Sequence, residues 1–372
     1  MKKNFFMLAA TAALFAACAE TELVNEVNVE SNSQEIGFST YAGKVTRAEN
    51  NPKDYKWNLE EHHNDFTVYA GKEVQGSTQA VYSNANKGTV TYGTAWVASP
   101  LKYWDKTAAK YYFYAGAPAN DNWVFAMTED ENYATGYLKY AGFTLVGENI
   151  ADGSAVHYNN WKDNRTANDI DLMIAEPCTV DRTAYNKATA EVVNLQFNHI
   201  LSRLSIKVKK GDNIASTQNL ELVSLDIFNM MNQGNFNEDN EEADGSPKNS
   251  RWTDATVVNT YVLSGVKLPN VTSNAVYTHQ YLVIPQTVSN EELDTNGEGA
   301  KTQAYFRIEY KIDDEVYYAF YNLAKAFGHS TVLNFNEGWE NTLTITINPA
   351  VIEFDAEVSE WAYDTVKGSE VN

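Results

Sequence analysis

The feature that most restricts what this chain can fold into is a two-residue alternation of apolar and polar side chains, repeated along most of its length. It recurs in "FTVYA" (66–70), "KYYFYAGAP" (110–118), "VVNLQF" (192–197), "LSRLSIKVKK" (201–210) and "LELVSLDIFNM" (220–230). It continues in "QYLVIPQ" (280–286), "AYFRIEYKI" (304–312), "VYYAFYNL" (316–323) and "NTLTITI" (341–347). These segments are rich in β-branched and aromatic residues and bounded by Gly, Asn, Asp or Pro, the signature of short strands joined by turns. No 3.6-residue periodicity competes with them. Regular strands without intervening helices predict an all-β chain of antiparallel β-sandwiches. The polar "CTVDRTAYNKATAE" (178–191) lacks clean alternation, which puts a joint between two domains near residue 190.

The first residues read differently. "MKKNFFMLAATAALFAAC" has a basic start at Lys2 and Lys3, an apolar run from Phe5 to Ala17, and small residues ahead of Cys18. That is the layout of a secretory signal, too short to span a bilayer stably. An apolar segment closing on small residue, small residue, Cys fits the cut of a lipoprotein signal peptidase, which would leave Cys18 diacylated, a palmitate-type anchor. Phe15 stands where an aliphatic is usual. Such an anchor holds a protein at a membrane without crossing it. Glu20 and Glu22 follow directly, as in the signal that sends Bacteroidetes lipoproteins to the outer face of the outer membrane.

Charge agrees with export. With 28 Lys plus Arg against 49 Asp plus Glu, a net charge of -21 disfavours nucleic acid and suits a self-repelling extracellular surface. Once Cys18 carries lipid only Cys178 remains, so no internal disulfide forms and stability must come from cores. An acidic loop with Asp239, Glu241, Glu242, Asp244 and Gly245 lacks the downstream glutamate that a calcium loop of fixed spacing requires. The six histidines have no metal-ligand spacing: His62 and His63 are adjacent and point apart on a strand, and the rest are scattered. No GxSxG, P-loop, GxGxxG-helix or Cys-His signature is present, so no catalytic residue, metal or cofactor is assigned. Acidic pairs are too common here to locate a hydrolase dyad. A monomeric surface lipoprotein that binds glycans through Trp104, Trp123 and Trp161 is the alternative to an assembling protein.

Several stretches, in this order, resemble the fimbrillins of the Bacteroidales, the type V pilins: "KYYFYAGAP", "DIDLMIAEP" (169–177), "VVNLQFNHILSRLSIKV", "YLVIPQ" and "NFNEGWENTLTITINPAVIEFDAEVSEW" (334–361). The resemblance implies two transthyretin-like β-sandwich domains in tandem, lipoprotein export, and polymerisation outside the cell by donor-strand exchange. It also implies an Arg-specific or trypsin-like protease that cuts after an early arginine, for which Arg47-Ala48 is the matching bond. Lys44 and Lys53 are the less favoured neighbours. The chain then divides into a signal peptide (1–17), a lipidated propeptide (18–47), an N-terminal domain (48–190) and a C-terminal domain (191–372). The propeptide holds a removable strand with Ile36 and Phe38 on one face. Donor strands close the chain over about 350–372, with Ile352, Phe354, Ala356 and Val358 on one face and Trp361 and Tyr363 on another after a slip at Ser359-Glu360. A usable last strand favours a stalk subunit over a tip or accessory one. The implied role is a fimbrial subunit supporting adhesion and biofilm formation. Its partners are other copies of itself, accessory fimbrial subunits, the processing protease, the outer membrane through Cys18, and a host or bacterial surface receptor. Two smaller expectations concern a buried His199 beside Phe197 near the joint, and a turn glycine, Gly338, followed by a core Trp339.

Overall fold

The computed structural model describes residues 34–42, 65–128, 132–145, 171–182, 192–240, 251–257, 261–268, 276–291, 303–349 and 351–360. The regular elements of the described residues are strands, apart from a 3₁₀ turn at Tyr133–Thr135 and one helical turn at Leu323–Ala326. The expected all-β class is what the chain adopts, and all nine alternating segments form strands.

The first half is built on β1 (Gly37–Ala42), β2 (Asp65–Val74), β3 (Ser77–Tyr82), β4 (Gly88–Tyr92), β5 (Trp96–Ser99), β6 (Lys110–Ala117), β9 (Met173–Ala175), β10 (Cys178–Asp181) and β11 (Val192–His199). Their order in the sheet is β10-β6-β9-β11-β1-β5-β4-β2-β3. β2 also pairs with β6, from Thr67↔Gly116 to Glu73↔Lys110. That ladder joins the two ends, so β6, β9, β11, β1, β5, β4 and β2 form a closed ring. The first half is thus a closed ring under a covering sheet, a closure that the expected antiparallel sandwich does not itself contain. The cause is the length of β2, whose ten residues serve β4 and then β3 along one edge while the other edge stays free for β6. Closure removes the exposed edges that an open sheet must protect. Inside the ring the alternating residues meet in one core that includes Phe38, Phe66, Trp96, Phe113 and Phe197.

A second sheet covers the ring from outside. It consists of β7 (Trp123–Met127), β8 (Gly136–Thr144), β14 (Gln233–Asn237) and β15 (Trp252–Thr256), in the order β15-β14-β8-β7. Its aromatic face (Trp123, Phe125, Tyr140, Phe236, Trp252) packs with Tyr69 of β2 and Tyr114 of β6, which point out of the ring. Gly116 makes this possible, because a Cβ there would stand 2.4 Å from the Trp123 indole.

The second half is a two-sheet sandwich. One sheet is β17 (Val276–Val283), β12 (Ser202–Lys210), β22 (Trp339–Ile347) and β23 (Ile352–Glu360), in that order. The other is β16 (Tyr261–Leu268), β13 (Leu220–Phe228), β19 (Tyr305–Ile312) and β20 (Glu315–Asn322). Their inner faces share a core that includes Ile206, Leu225, Phe306, Ile308 and Ile345. A two-stranded ladder of β18 (Gln286–Ser289) and β21 (Val332–Phe335) adds Val288, Leu333 and Phe335 to it.

The expected joint near residue 190 falls before β11, yet β11 belongs to the ring. The ladders change over at Ile200 and Leu201, and β14 and β15 then cross back to complete the outer sheet of the first half. The changeover is pinned from both sides. Trp252 Nε1 donates to Ile200 O at 3.0 Å, and Gly338 N, at a turn with φ +67, donates to Leu201 O at 2.9 Å. His199 is buried there, with Nδ1 2.7 Å from Asp171 Oδ2. Trp339 is only half-buried at the start of β22, which corrects its expected place in the core.

Candidate assembly strands

β1 is a short strand with an unusual seat. It runs parallel to β11 over its whole length, from Gly37↔Val192 to Ala42↔Phe197, and touches β5 through the single pair Phe38↔Trp96. The ring is therefore joined between β11 and β5 by β1 alone. Two further backbone bonds fix its start: Ile36 N donates to Lys102 O and Trp104 N donates to Gln34 O, each at 2.9 Å. Ser39 Oγ donates to Asn194 Oδ1 on the outer face.

The inner face of β1 carries the apolar contacts. Ile36 and Phe38 are 2% and 5% exposed, and Thr40 is buried with them. The Phe38 ring meets Phe66 and Phe113 edge-on, each at 6.0 Å between centroids. That geometry suits the ring quadrupoles and adds to the area buried. The strand thus plugs a slot lined by Phe66, Trp96, Phe113 and the β11 side chains Val193, Leu195 and Phe197. Alternation in "EIGFST" gave its two apolar residues, but not its parallel partner. Parallel pairing between segments more than a hundred residues apart leaves no local mark in a sequence.

β23 sits differently. It is the outer strand of its sheet, paired antiparallel to β22 from Trp339↔Glu360 to Ile347↔Ile352, with no strand on its far side among the described residues. Ile352 is buried, while Phe354 and Ala356 are partly buried against the sandwich core. Phe354 packs edge-on against Tyr321 at 4.7 Å and Phe306 at 5.8 Å. Val358 is 41% exposed. The ladder keeps its register through Ser359 and Glu360, so the described strand has no slip at that point. Cys18, Arg47, Ala48, Trp361 and Tyr363 lie outside the described residues.

The glycan reading relied on exposed tryptophans, and the fold withdraws two of them. Trp104 and Trp123 are 3% and 1% exposed. Trp104 lies in the ring core with the Arg182 guanidinium stacked 4.4 Å over it, and Trp123 is held under the outer sheet with Nε1 donating to Pro118 O at 3.1 Å. Trp161 lies outside the described residues. Of the acidic loop only Asp239 is described, and it is exposed; among the described residues no group of three or more ligand side chains is placed to hold a metal.

A model of the fimbrillin-like family matches residues 46–361, and the chain belongs to that family. Among solved structures it is similar to a fimbrial protein from Bacteroides vulgatus, at 16% identity and a TM-score of 0.49, covering 88% of this chain and 99% of that one. It is also similar to the tip fimbrial protein Mfa3 from Porphyromonas gingivalis with C-terminal truncation, at 11% identity and a TM-score of 0.37, covering 81% and 95%. No curated protein matches the chain. Family membership implies a fimbrial structural subunit at the cell surface, in association with other fimbrial subunits.

Proposed function

We propose that the chain is a polymerising fimbrial subunit, exported as a lipoprotein through Cys18, cut after Arg47, and assembled when the C-terminal strand of one copy replaces β1 of the next. Each half is then one transthyretin-like unit of a tandem, the first with its sheet closed by the strand that is lost. The observation that carries this reading is the seat of β1. It is an integral strand of the ring, and its covalent link to the rest of the ring runs through the Arg47-Ala48 bond.

The physics of the cut follows from that seat. Before cleavage β1 is held intramolecularly; afterwards it is held only by contacts that dilution can break. Burying Ile36 and Phe38 contributes roughly 3–6 kcal/mol gross at about 1.5–3 kcal/mol per large apolar side chain. An intramolecular strand needs no more than that, but a free peptide must also offset its lost translational freedom. Once β1 departs, β11 keeps an edge of unpaired N–H and C=O groups beside an apolar slot, which a folded domain tolerates poorly. A strand supplied by another subunit restores both, as in other cases of strand addition to an open sheet. A lipidated leader keeps the slot filled until the chain reaches the surface.

The test is limited trypsin treatment of the soluble precursor that begins after Cys18. Release of the leader at Arg47 should yield ladders that resist SDS without boiling, and Arg47→Ala should abolish them. Ladders of equal yield from the uncleaved variant would refute activation by the cut.

A further inference from the structure

We propose that the incoming β23 lies parallel to β11 in a single register, with Ile352 at the position of Ile36 and Phe354 at that of Phe38. This rests on the strand exchange proposed above and adds its direction and its residue pairing.

The two strands carry the same pattern in the same direction. β1 and the residue before it read Ile36-Gly37-Phe38-Ser39-Thr40-Tyr41-Ala42, and β23 reads Ile352-Glu353-Phe354-Asp355-Ala356-Glu357-Val358. In β1 the inward side chains are Ile36, Phe38 and Thr40. In β23 the side chains turned to the sandwich core are Ile352, Phe354 and Ala356. An isoleucine, a phenylalanine and a small residue therefore occupy successive alternate positions in both, although one strand fills a ring and the other an edge.

Other placements fit worse. A shift by one residue turns Glu353, Asp355 and Glu357 into the slot between Phe66 and Phe113, where carboxylates would lose their water without partners. Shifting by two puts Ala356 or Ile352 where the Phe38 ring meets those two aromatics, leaving a void or a misshapen contact. Reversing the strand about Phe354 leaves Ala356 in the Ile36 seat, forces Ile352 into the Thr40 site, and discards the parallel ladder to β11.

The outer face accepts the replacement as well. Glu353 would stand where β1 has Gly37, and a Cβ built there meets only Val192 Cγ2, at an ordinary 3.7 Å. Asp355 would take the place of Ser39, beside the exposed Asn194 on the outer face. In both seats the carboxylates face outward and stay wet. On leaving home β23 loses its ladder to β22 and the seats of Ile352 and Phe354 on the sandwich, and in the slot it regains a ladder to β11 along one side, Trp96 on the other, and two apolar seats of the same kind.

Cysteine pairing reads the register directly, because a disulfide forms only between strand neighbours a few ångströms apart. In the soluble precursor carrying Cys178→Ser and cut at Arg47, Asp355→Cys is combined in turn with Val192→Cys, Asn194→Cys and Gln196→Cys. The proposal expects disulfide-linked ladders on boiled, non-reducing gels with Asn194→Cys, and loss of the link with the two flanking partners. Preferential linking to Val192→Cys or Gln196→Cys, or no link in any pair while SDS-resistant ladders still form, overturns the register and leaves the exchange standing. Absence of ladders in every pair and in the cut parent overturns the exchange itself and the register with it.

Discussion

On the proposed cleavage, Phe38 matters in one form of the protein and not in the other. Its ring fills the slot between Phe66 and Phe113 in the uncut precursor. Phe38→Ala should therefore cost the precursor about 3–5 kcal/mol in denaturant unfolding, the range for emptying a buried phenylalanine site. After cleavage at Arg47 the same substitution should have no effect on the assembled polymer, because residue 38 has left with the leader. The buried tyrosines make a separate prediction. Burial pushes the phenols of Tyr69, Tyr111 and Tyr114 from the usual 10 up to about 12, and that of Tyr82 higher still. Tyr69 and Tyr114 each donate to a backbone oxygen, at 2.5 and 2.6 Å, which their ionised forms could not do. The folded state holds these protons more tightly than the unfolded one. Stability is then fully present below pH 10 and is lost as pH rises from 10 through about 12. Circular dichroism and tyrosinate absorbance should change together across that window; ionisation of these phenols at pH 10 with the fold intact would contradict it.

Elements were legible in the sequence to the extent that their signal was local. Alternation gave six of the sandwich strands, β12, β13, β17, β19, β20 and β22, and β2, β6 and β11 of the ring, because each keeps an apolar face of several consecutive inward residues. It did not give β16 of the sandwich, nor β7, β8, β14 and β15. "QGNFN" and "WTDAT" are short, polar and interrupted by Gly, Asn and Asp, and only their pairing across the fold buries Phe236 and Trp252. Closure of the ring was hidden for the same reason, since the ladders β1 with β11 and β2 with β6 depend on partners far along the chain. Trp104 and Trp123, expected as glycan contacts, are buried by residues distant from them in sequence or across a hairpin, Tyr111 and Phe113 for the first and Tyr140 for the second. The element that fastens the two halves was equally silent. Arg251, one residue before β15, makes a bidentate pair with Glu337 in the turn before β22, at 3.1 and 2.6 Å, with both side chains under a tenth exposed. Removing one partner leaves the other charge buried alone, so Arg251→Met should cost about 3–5 kcal/mol. The double replacement Arg251→Met with Glu337→Leu should recover most of that loss in the same unfolding measurement, and failure to recover would locate the cost in packing on Phe236.

At the scale of the whole molecule the two halves have different jobs. The ring is complete only while a seventh strand bridges β11 and β5, and β23 forms an edge of the sandwich with no partner on its far side among the described residues. On the proposed exchange, one half receives a strand and the other gives one. Deleting residues 352–372 should accordingly leave a subunit that is still cut at Arg47 and still folded, with a ring that nothing completes, and gel filtration after cleavage should find it monomeric. Ladders persisting in that truncation would place the donor elsewhere. A net charge of -21 makes like subunits repel, so the proposed association draws on short-range completion of the ring and gains nothing from bulk electrostatics. The most direct measurement is electron microscopy of the precursor after trypsin has removed the leader. Filaments that appear only after the cut, and not with Arg47→Ala, are the expected result; a cleaved protein that remains single particles at high concentration, with its strands intact by circular dichroism, would contradict the assembly mechanism outright.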